Sequence, residues 1–311
     1  MGFQVSGFFS DLKHAGIAWY GDNATRLASS LAYYTLLSLA PIMVLAVSLA
    51  GMVLGDEAAR GQIAQEVAKF VGPEAGRSVQ EVILHARAPD SGFWGTLVGV
   101  GVLFFGASGV FGELQSALNS IWKVTAKPGR GIWGVVRDRF TSFTMVLSVA
   151  FVLLVSLVLS AVLSALGSRF EQLLPGGDGV WQALNFGVAF VVISLLFALI
   201  FQVVPDVKLR FGQVWGGGVL TAFLFSVGKF ALGFYLGHSG IASPYGAAGS
   251  VIVLVIWVYY SAQILFFGAE FTKVHAKRTG VLVKPSEHAI SERPPSRESV
   301  IHSPTARRGI P

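Results

Sequence analysis

The chain has 311 residues, of which 53% are hydrophobic, 13% are charged and 37 are glycines. Globular proteins carry about twice that share of charged residues, so this composition excludes an ordinary soluble enzyme, a disordered protein and a coiled coil. The absence of cysteine excludes disulfides, a thiol nucleophile and an iron–sulfur cluster. We therefore predict an all-α polytopic membrane protein, whose net charge of +6 is more typical of loops facing anionic lipid than of a nucleic-acid surface.

The first 30 residues precede any segment long enough to cross a bilayer. Phe8, Phe9, Leu12 and Trp19 supply apolar side chains there, as is typical of a helix that lies in the membrane interface. We predict that residues 1–30 form a cytoplasmic interfacial segment.

Six later segments are apolar over about 20 residues, the length that a helix needs to cross the hydrocarbon core. Because hydrocarbon offers no partners to free backbone groups, each segment is predicted to be a transmembrane helix. The predicted spans are residues 31–54, 93–112, 143–166, 183–204, 212–236 and 247–271. They belong to a membrane domain over 31–278, in which residues 55–92 are predicted to form short amphipathic helices on the outer surface.

The Lys and Arg residues predict the orientation. Of 23 in all, 17 lie in the two termini and the second and fourth loops, five lie in the other loops, and Lys229 lies inside a span. Since positive loops stay in the cytoplasm, both termini are predicted to be cytoplasmic. Residues 279–311 contain five prolines and few large apolar side chains, which predicts a disordered cytoplasmic tail.

Lys229 is the most informative single residue, because a lysine in hydrocarbon finds a partner, faces a cavity or extends to the headgroups. Glu270 is the other charge well placed in a span, but it lies too far toward the cytoplasm to pair with Lys229. The side chains predicted at the depth of Lys229 are all neutral, namely Ser48, Thr96, Ser160 and Asn185. These four with Lys229 are a candidate site for a lipid phosphate. The alternative is that Lys229 extends to the outer headgroups.

Three further features allow two interpretations each. Pro41 lies near the middle of the first span and predicts a fixed kink, or else a hinge. Glycines in the second and fifth spans favour close helix packing, with an inverted-repeat transporter as the alternative. Glu270 is expected to pair with Lys273 or Lys277, and a proton-coupling role is the alternative.

A cluster of five cations follows the second span in the predicted cytoplasmic loop. Each base near an anionic membrane surface contributes about 1 kcal/mol of attraction, so these residues are candidates for contacts with lipid headgroups. They are Lys123, Lys127, Arg130, Arg137 and Arg139. The topology alone also predicts positive charge in this loop.

Four stretches, taken in order, resemble the YihY/BrkB family of bacterial inner-membrane proteins, whose members were once labelled ribonuclease BN. They are LASSLAYYTLLSLAP (27–41), FGASGVFGELQSALNSIW (105–122), VPDVKLRF (204–211) and SPYGAAGSVIVLVIWVYYSAQILFFGAEFTKV (243–274). The resemblance covers about residues 10 to 278. It implies six spans with cytoplasmic ends in the inner membrane and a connection with the lipidic cell envelope, but no settled activity.

We expect a protein that transports or flips a lipid or other amphiphilic anion of the envelope, without cofactor, metal or covalent chemistry. Ribonuclease activity is not expected, because the six histidines are not at metal-ligand spacing and fall on both sides of the membrane. Membrane lipids are the expected partners, together with a second copy of the chain or an envelope complex, and nucleic acid is not. The alternative is a non-catalytic structural protein that supports envelope integrity.

Overall fold

The computed structural model describes residues 5–54, 109–127, 178–239, 249–281, 283–287 and 289–291, with seven single residues between 61 and 80. Helices make up most of these ranges. They are α1 (Val5–Gly21), α2 (Ala24–Leu54), α3 (described over 109–122), α4 (Asp178–Val203), α5 (Phe211–Ser239) and α6 (Gly249–Arg278). Four short strands accompany them: β1 (Val124–Ala126), β2 (Val207–Lys208), β3 (Lys284–Pro285) and β4 (Ala289–Ser291).

The described helices agree with four of the six predicted spans. The first, fourth, fifth and sixth spans coincide closely with α2, α4, α5 and α6. Three described segments are long and apolar enough to cross a membrane, and they are Phe186–Val203, Phe211–Tyr235 and Val251–Arg278. The predicted helical membrane architecture is thus confirmed, while the number of six spans stays a prediction. The third span, and most of the second span and of residues 55–92, lie outside the described residues.

Helix α1 turns sharply into α2 and packs against the last turns of α6. Asn23 makes the corner with φ of 53°, a left-handed conformation that asparagine tolerates better than most residues. The rings of Phe8 and Phe271 meet edge to face with centroids 5.6 Å apart. Phe9, Ile17 and Tyr20 remain exposed on α1, so the interfacial role of residues 1–30 stays a prediction.

Helices α5 and α6 run antiparallel and pack closely through two glycine–threonine contacts. Gly217 on α5 faces Thr272 on α6, and Gly268 on α6 faces Thr221 on α5; a methyl group on either glycine would overlap the facing threonine hydroxyl. Each of these hydroxyls donates a hydrogen bond of 2.7 Å to a carbonyl of its own helix, one turn earlier. The predicted packing role of glycine in the fifth span is confirmed here, because small residues let helix backbones approach closely.

The loops on one side of the bundle meet at what we call the near end, formed by the described residues of 5–24, 119–127, 204–210 and 271–291. The distribution of Lys and Arg predicts the cytoplasmic side for all of these segments. Buried apolar side chains pack beneath them from four helices, and the largest of those that are fully buried are Leu118, Ile121, Phe201, Val214 and Phe266.

The chain does not leave the bundle after α6. Gly280, with φ of 72°, ends the helix: the Val281 N–H donates to the Ala276 carbonyl at 3.0 Å and the Gly280 N–H to the Lys277 carbonyl at 3.2 Å. The described residues of 279–291, which we call the strap, then cross the near end. Strand β3 pairs antiparallel with β2, and β4 pairs antiparallel with β1.

The prediction that residues 279–311 form a disordered tail is therefore wrong for the strap. Its polar composition was misleading because the strap is held by backbone pairing with loops distant in the sequence, together with partly buried Val281 and Val283 and buried Ala289. Residues 292–311 lie outside the described residues.

Candidate functional site

The near end contains a partly buried cluster of charges centred on Lys273. The ammonium of Lys273 lies 2.6 Å from Oε2 of Glu270, a side chain with no exposed surface. It also donates hydrogen bonds to Asp22 Oδ2 at 3.1 Å and to the Ile121 carbonyl at 3.0 Å. The expected pairing of Glu270 with Lys273 is confirmed, and one cation joins α6, the α1–α2 corner and the end of α3.

Lys123 completes this cluster from the residue that follows α3. It has a positive φ of 55°, and its ammonium lies 2.8 Å from Asp22 Oδ1. Burial by itself raises the pKa of Asp22, but hydrogen bonding, first of all with Lys123, and the charge of Lys273 outweigh burial and lower the pKa below its usual value.

A second cluster fastens α1 to the end of α6. Asp11 is buried, and its two oxygens accept hydrogen bonds from Arg278 Nε at 2.6 Å and from His275 Nδ1 at 2.8 Å. Burial raises the pKa of Asp11, but these two hydrogen bonds outweigh it and lower the pKa. The guanidinium lies so close to α1 that a methyl group at Gly7 would come within 2.7 Å of Arg278 Nη1.

A third cluster joins the α4–α5 loop to α3. Asp206 accepts hydrogen bonds from Asn119 Nδ2 at 2.8 Å and Gln115 Nε2 at 3.4 Å, and its own N–H donates to Asn119 Oδ1 at 2.7 Å. Two of the four stretches that carry the family resemblance, 105–122 and 204–211, are therefore in direct contact.

Sequence reasoning did not identify the roles of Asp11, Asp22 and Asp206. The signal available was that each is a lone acid beside an apolar helix or at its end, with cations elsewhere on the same predicted side. Among the residues that the structure describes, no group of three or more His, Asp or Glu side chains is placed to hold a metal ion.

Lys229 lies in α5 and is half-buried. Within the described part of the chain, its ammonium has no hydrogen bond or ion pair. One residue earlier, Gly228 faces Tyr260 of α6, and a methyl group there would overlap the Tyr260 hydroxyl. Tyr260 is thus a polar side chain at the depth of Lys229 that the sequence analysis missed. From Tyr260 to Glu270 is ten residues of α6, about 15 Å, so Lys229 and Glu270 are well separated.

The ligand-binding role of the other four residues in the predicted site stays a prediction. Thr96 and Ser160 lie outside the described residues. Ser48 lies in α2 and Asn185 in α4, but the structure describes only the helical backbone at these two positions. Helix α2 continues through Pro41 to Leu54, and the expected kink at Pro41 likewise stays a prediction.

Two of the five cations predicted to contact headgroups have protein partners. Lys123 pairs with Asp22, and the Lys127 ammonium donates a 2.6 Å hydrogen bond to the carbonyl of Glu287 in the strap. Arg130, Arg137 and Arg139 lie outside the described residues. Headgroup binding by these five residues stays a prediction.

A mostly helical architecture with three described segments of membrane-crossing length defines an α-helical membrane protein. The family model described as virulence factor BrkB matches residues 18–292, which includes the strap. The chain therefore belongs to the BrkB family.

Curated relatives are consistent with this assignment. A UPF0761 membrane protein of Photobacterium profundum is 31% identical over 254 residues, covering 81% of this chain and 76% of that protein. YfkH of Bacillus subtilis, whose name describes it only as ribonuclease-like, is 26% identical over 81% of this chain and 90% of its own length. A UPF0761 membrane protein of Kangiella koreensis is 25% identical over 83% of this chain, which spans only 61% of that relative's length. No solved structure matches the chain.

Proposed function

We propose that this membrane protein moves or flips an anionic amphiphile, such as a lipid of the cell envelope, in the bacterial inner membrane. Both termini face the cytoplasm, and no covalent chemistry is involved. The observation that carries the proposal is Lys229, a half-buried cation in α5 without an acidic partner among the described residues.

A lysine inside a span is costly unless something offsets its charge. Lys229 follows the start of α5 by 18 residues, about 27 Å, which places it in the half of the membrane away from the near end. The phosphate of an amphiphile would offset the ammonium charge, and the Tyr260 hydroxyl is a neutral hydrogen-bonding group at the same depth. Phe230, the next residue, is 68% exposed on the described surface, so an acyl chain has room beside the cation.

The proposal that the chain is not an enzyme rests on the same residues. Lys229 and Tyr260 can bind and neutralise an anion, whereas hydrolysis needs an acid–base pair or metal-bound water beside the substrate. Membrane lipids are the proposed partners, and nucleic acid is not among them.

The test uses the full chain reconstituted in vesicles that carry a labelled anionic phospholipid in one leaflet. We expect faster lipid transfer than in protein-free vesicles. Lys229→Ala is expected to lower the transfer rate about tenfold, the effect of losing one charged contact, whereas Lys229→Arg is expected to retain most of the rate. Lys13→Ala, an exposed lysine at the near end, is the matched control. Transfer no faster than in protein-free vesicles would overturn the proposal. Unchanged transfer in Lys229→Ala would instead favour a lysine that only extends to the headgroups.

The proposed orientation has its own test, which the cysteine-free chain makes simple. Single cysteines at Ser120 and Ser286, both at the near end, are expected to resist an impermeant thiol reagent applied to intact cells. Cysteines at Ser78 and Ser239 are expected to react. The reverse pattern would place the near end outside.

A second candidate function, a non-catalytic structural protein of the envelope, is favoured by the near end. Two charge clusters, the hydrogen bonds of Asp206 with α3 and two strand pairs fasten α1, α3, the α4–α5 loop and α6 to one another there. This function predicts that deleting residues 280–311 or 57–88 impairs envelope integrity in cells more than Lys229→Ala does. The opposite ranking would favour transport.

A further inference from the structure

Three cations and two aromatic rings lie together where α5 begins. We call Lys208, Arg210, Phe211, Trp215 and Lys284 the basic–aromatic patch. Along the chain before α5, Val207 and Leu209 are buried while Lys208 and Arg210 are exposed. Because alternate residues of an extended chain point to opposite sides, the two cations share the outer side.

The strap adds the third cation. Lys284 in β3 is the register partner of Lys208 in β2, so their side chains emerge on the same face about 5 Å apart. Like charges placed directly opposite each other destabilise a strand pair. An anion that lies between the two ammonium groups relieves this repulsion.

Among the described residues, few acidic side chains lie close enough to neutralise the cations of this patch. Glu287 lies 3.3 Å from Lys208, but its side chain is 81% exposed, and exposed ion pairs of this kind are weak. Within the described residues, the side chains of Arg210 and Lys284 have no hydrogen bond or ion pair. Lys123, Lys127 and Lys273 differ, because each has an oxygen partner within the protein.

The two rings indicate the depth of the patch in the membrane. Phe211 and Trp215 are 39% and 36% exposed, and their ring centroids lie 5.5 Å apart. Phe211 is also the first residue of the apolar segment Phe211–Tyr235. Tryptophan at the end of a span is typical of the headgroup layer, so the adjoining cations lie at the level of lipid phosphates.

We propose that the basic–aromatic patch binds the phosphate of an anionic phospholipid headgroup at the near end. The Arg210 guanidinium offers a planar pair of donors, the two lysines add charge, and the rings contact the apolar part of the same lipid. Glu287 competes with the phosphate for Lys208. This site is separate from Lys229 and does not require that the lipid be moved.

The test measures lipids retained by the purified full-length protein in detergent, using native mass spectrometry with equal phosphatidylglycerol and phosphatidylcholine. For Lys208→Gln with Lys284→Gln we expect about a tenfold loss of bound phosphatidylglycerol, since each cation near an anionic surface contributes appreciably. The matched control, Lys13→Gln with Lys277→Gln, removes two exposed near-end lysines outside the patch and is expected to lose no more than about twofold on the same basis. Glu287→Gln is expected to increase retention.

Equal losses in the two double variants would overturn the proposal, because general electrostatic attraction would then suffice. Displacement of the lipid by inorganic phosphate, but not by chloride at the same ionic strength, would assign the site to free phosphate and overturn the lipid assignment. Since all four lysines are exposed, neither double variant is expected to melt below the parent protein. Loss of the opposed charges of Lys208 and Lys284 favours a slightly higher melting temperature.

Discussion

Two lysines in adjacent helices define two different regions of this molecule. At the near end, the ammonium of Lys273 is surrounded by oxygens of Glu270, Asp22 and Ile121. In the other half of α5, Lys229 is half-buried without such a partner among the described residues. The near end therefore uses charge to hold helices together, whereas the role proposed for Lys229 is to offset the charge of a ligand.

Lys273→Ala is expected to have the largest effect on stability. It leaves the fully buried Glu270 carboxylate without its cation, and breaking a buried pair in this way costs about 3–5 kcal/mol of unfolding free energy. Unfolding of the detergent-solubilised protein by titration with a denaturing detergent measures the loss. Lys277→Ala, an exposed lysine one turn later, is the control, with an expected change within about 0.5 kcal/mol.

The same unfolding measurement tests whether Lys273 stabilises the near end through its ion pair with Glu270. Replacing both partners, Glu270→Gln with Lys273→Met, removes the buried charge together with its cation. We expect the double variant to be more stable than Lys273→Ala alone. Equal or greater instability of the double variant would contradict an ion pair that holds the near end together.

Gly217→Ala is expected to have the next largest effect. Its new methyl group would overlap the hydroxyl of Thr272, and forcing extra volume into such a contact costs about 1–3 kcal/mol. The neighbouring Gly216→Ala is a close control, because nothing lies within 4 Å of the position its methyl group would take. Thermal unfolding of both variants in detergent measures the difference.

The double variant Gly217→Ala with Thr272→Ala removes the overlapping hydroxyl and is expected to recover part of the lost stability. If Gly216→Ala and Gly217→Ala melt at the same temperature, the close approach of α5 to α6 is contradicted.

The near end is expected to lose stability in acid, by less than Lys273→Ala or Gly217→Ala destabilises the protein. The pKa values of Asp11 and Asp22 are lowered in the folded protein, so their contribution is complete above the unfolded value of about 3.9 and is lost as pH falls through the folded values. Melting temperatures between about pH 7 and about pH 2 measure this loss, which is expected below about pH 4. Asp11→Asn is expected to melt lower at pH 7 and to show a shallower decline. A decline as steep as in the parent protein would exclude Asp11 as a source.

A disulfide cross-link tests the pairing of the strap, and of all these changes it is expected to affect stability least. Thr125 and Ile290 are register partners in β1 and β4, so cysteines at both positions are expected to form a disulfide under mild oxidation. The control places cysteines at Thr125 and Lys284, which belong to different strand pairs. Equal cross-linking of both pairs, read from gel mobility after cleavage between the cysteines, would contradict the described register.

Much of the described fold could be predicted because spanning a membrane is a local property of the chain. Four described helices match apolar segments that any window of about 20 residues detects. The strap could not be predicted in this way. Its strands have two or three residues, and their partners lie 76 to 167 positions earlier in the chain.

The residues of the candidate sites likewise fall into those that could be predicted from nearby sequence and those that could not. Lys229 could be singled out because a charge within an apolar run is visible locally, and so could Glu270 with Lys273, three residues apart on one helix. Asp11 with Arg278 could not, since 267 positions separate them. The like-charged pair of Lys208 and Lys284 exists only because the strap brings β3 beside β2.

By itself, the sequence determined that this chain is a helical membrane protein, because hydrocarbon forces each apolar segment to satisfy its own backbone within a helix. It also determined which residues are charged and placed most of the cations on one predicted side. Only the tertiary structure decided which of those charges neutralise each other and which remain available. Coulomb attraction and hydrogen bonding act over a few ångströms in space, and distance along the chain does not fix distance in the fold.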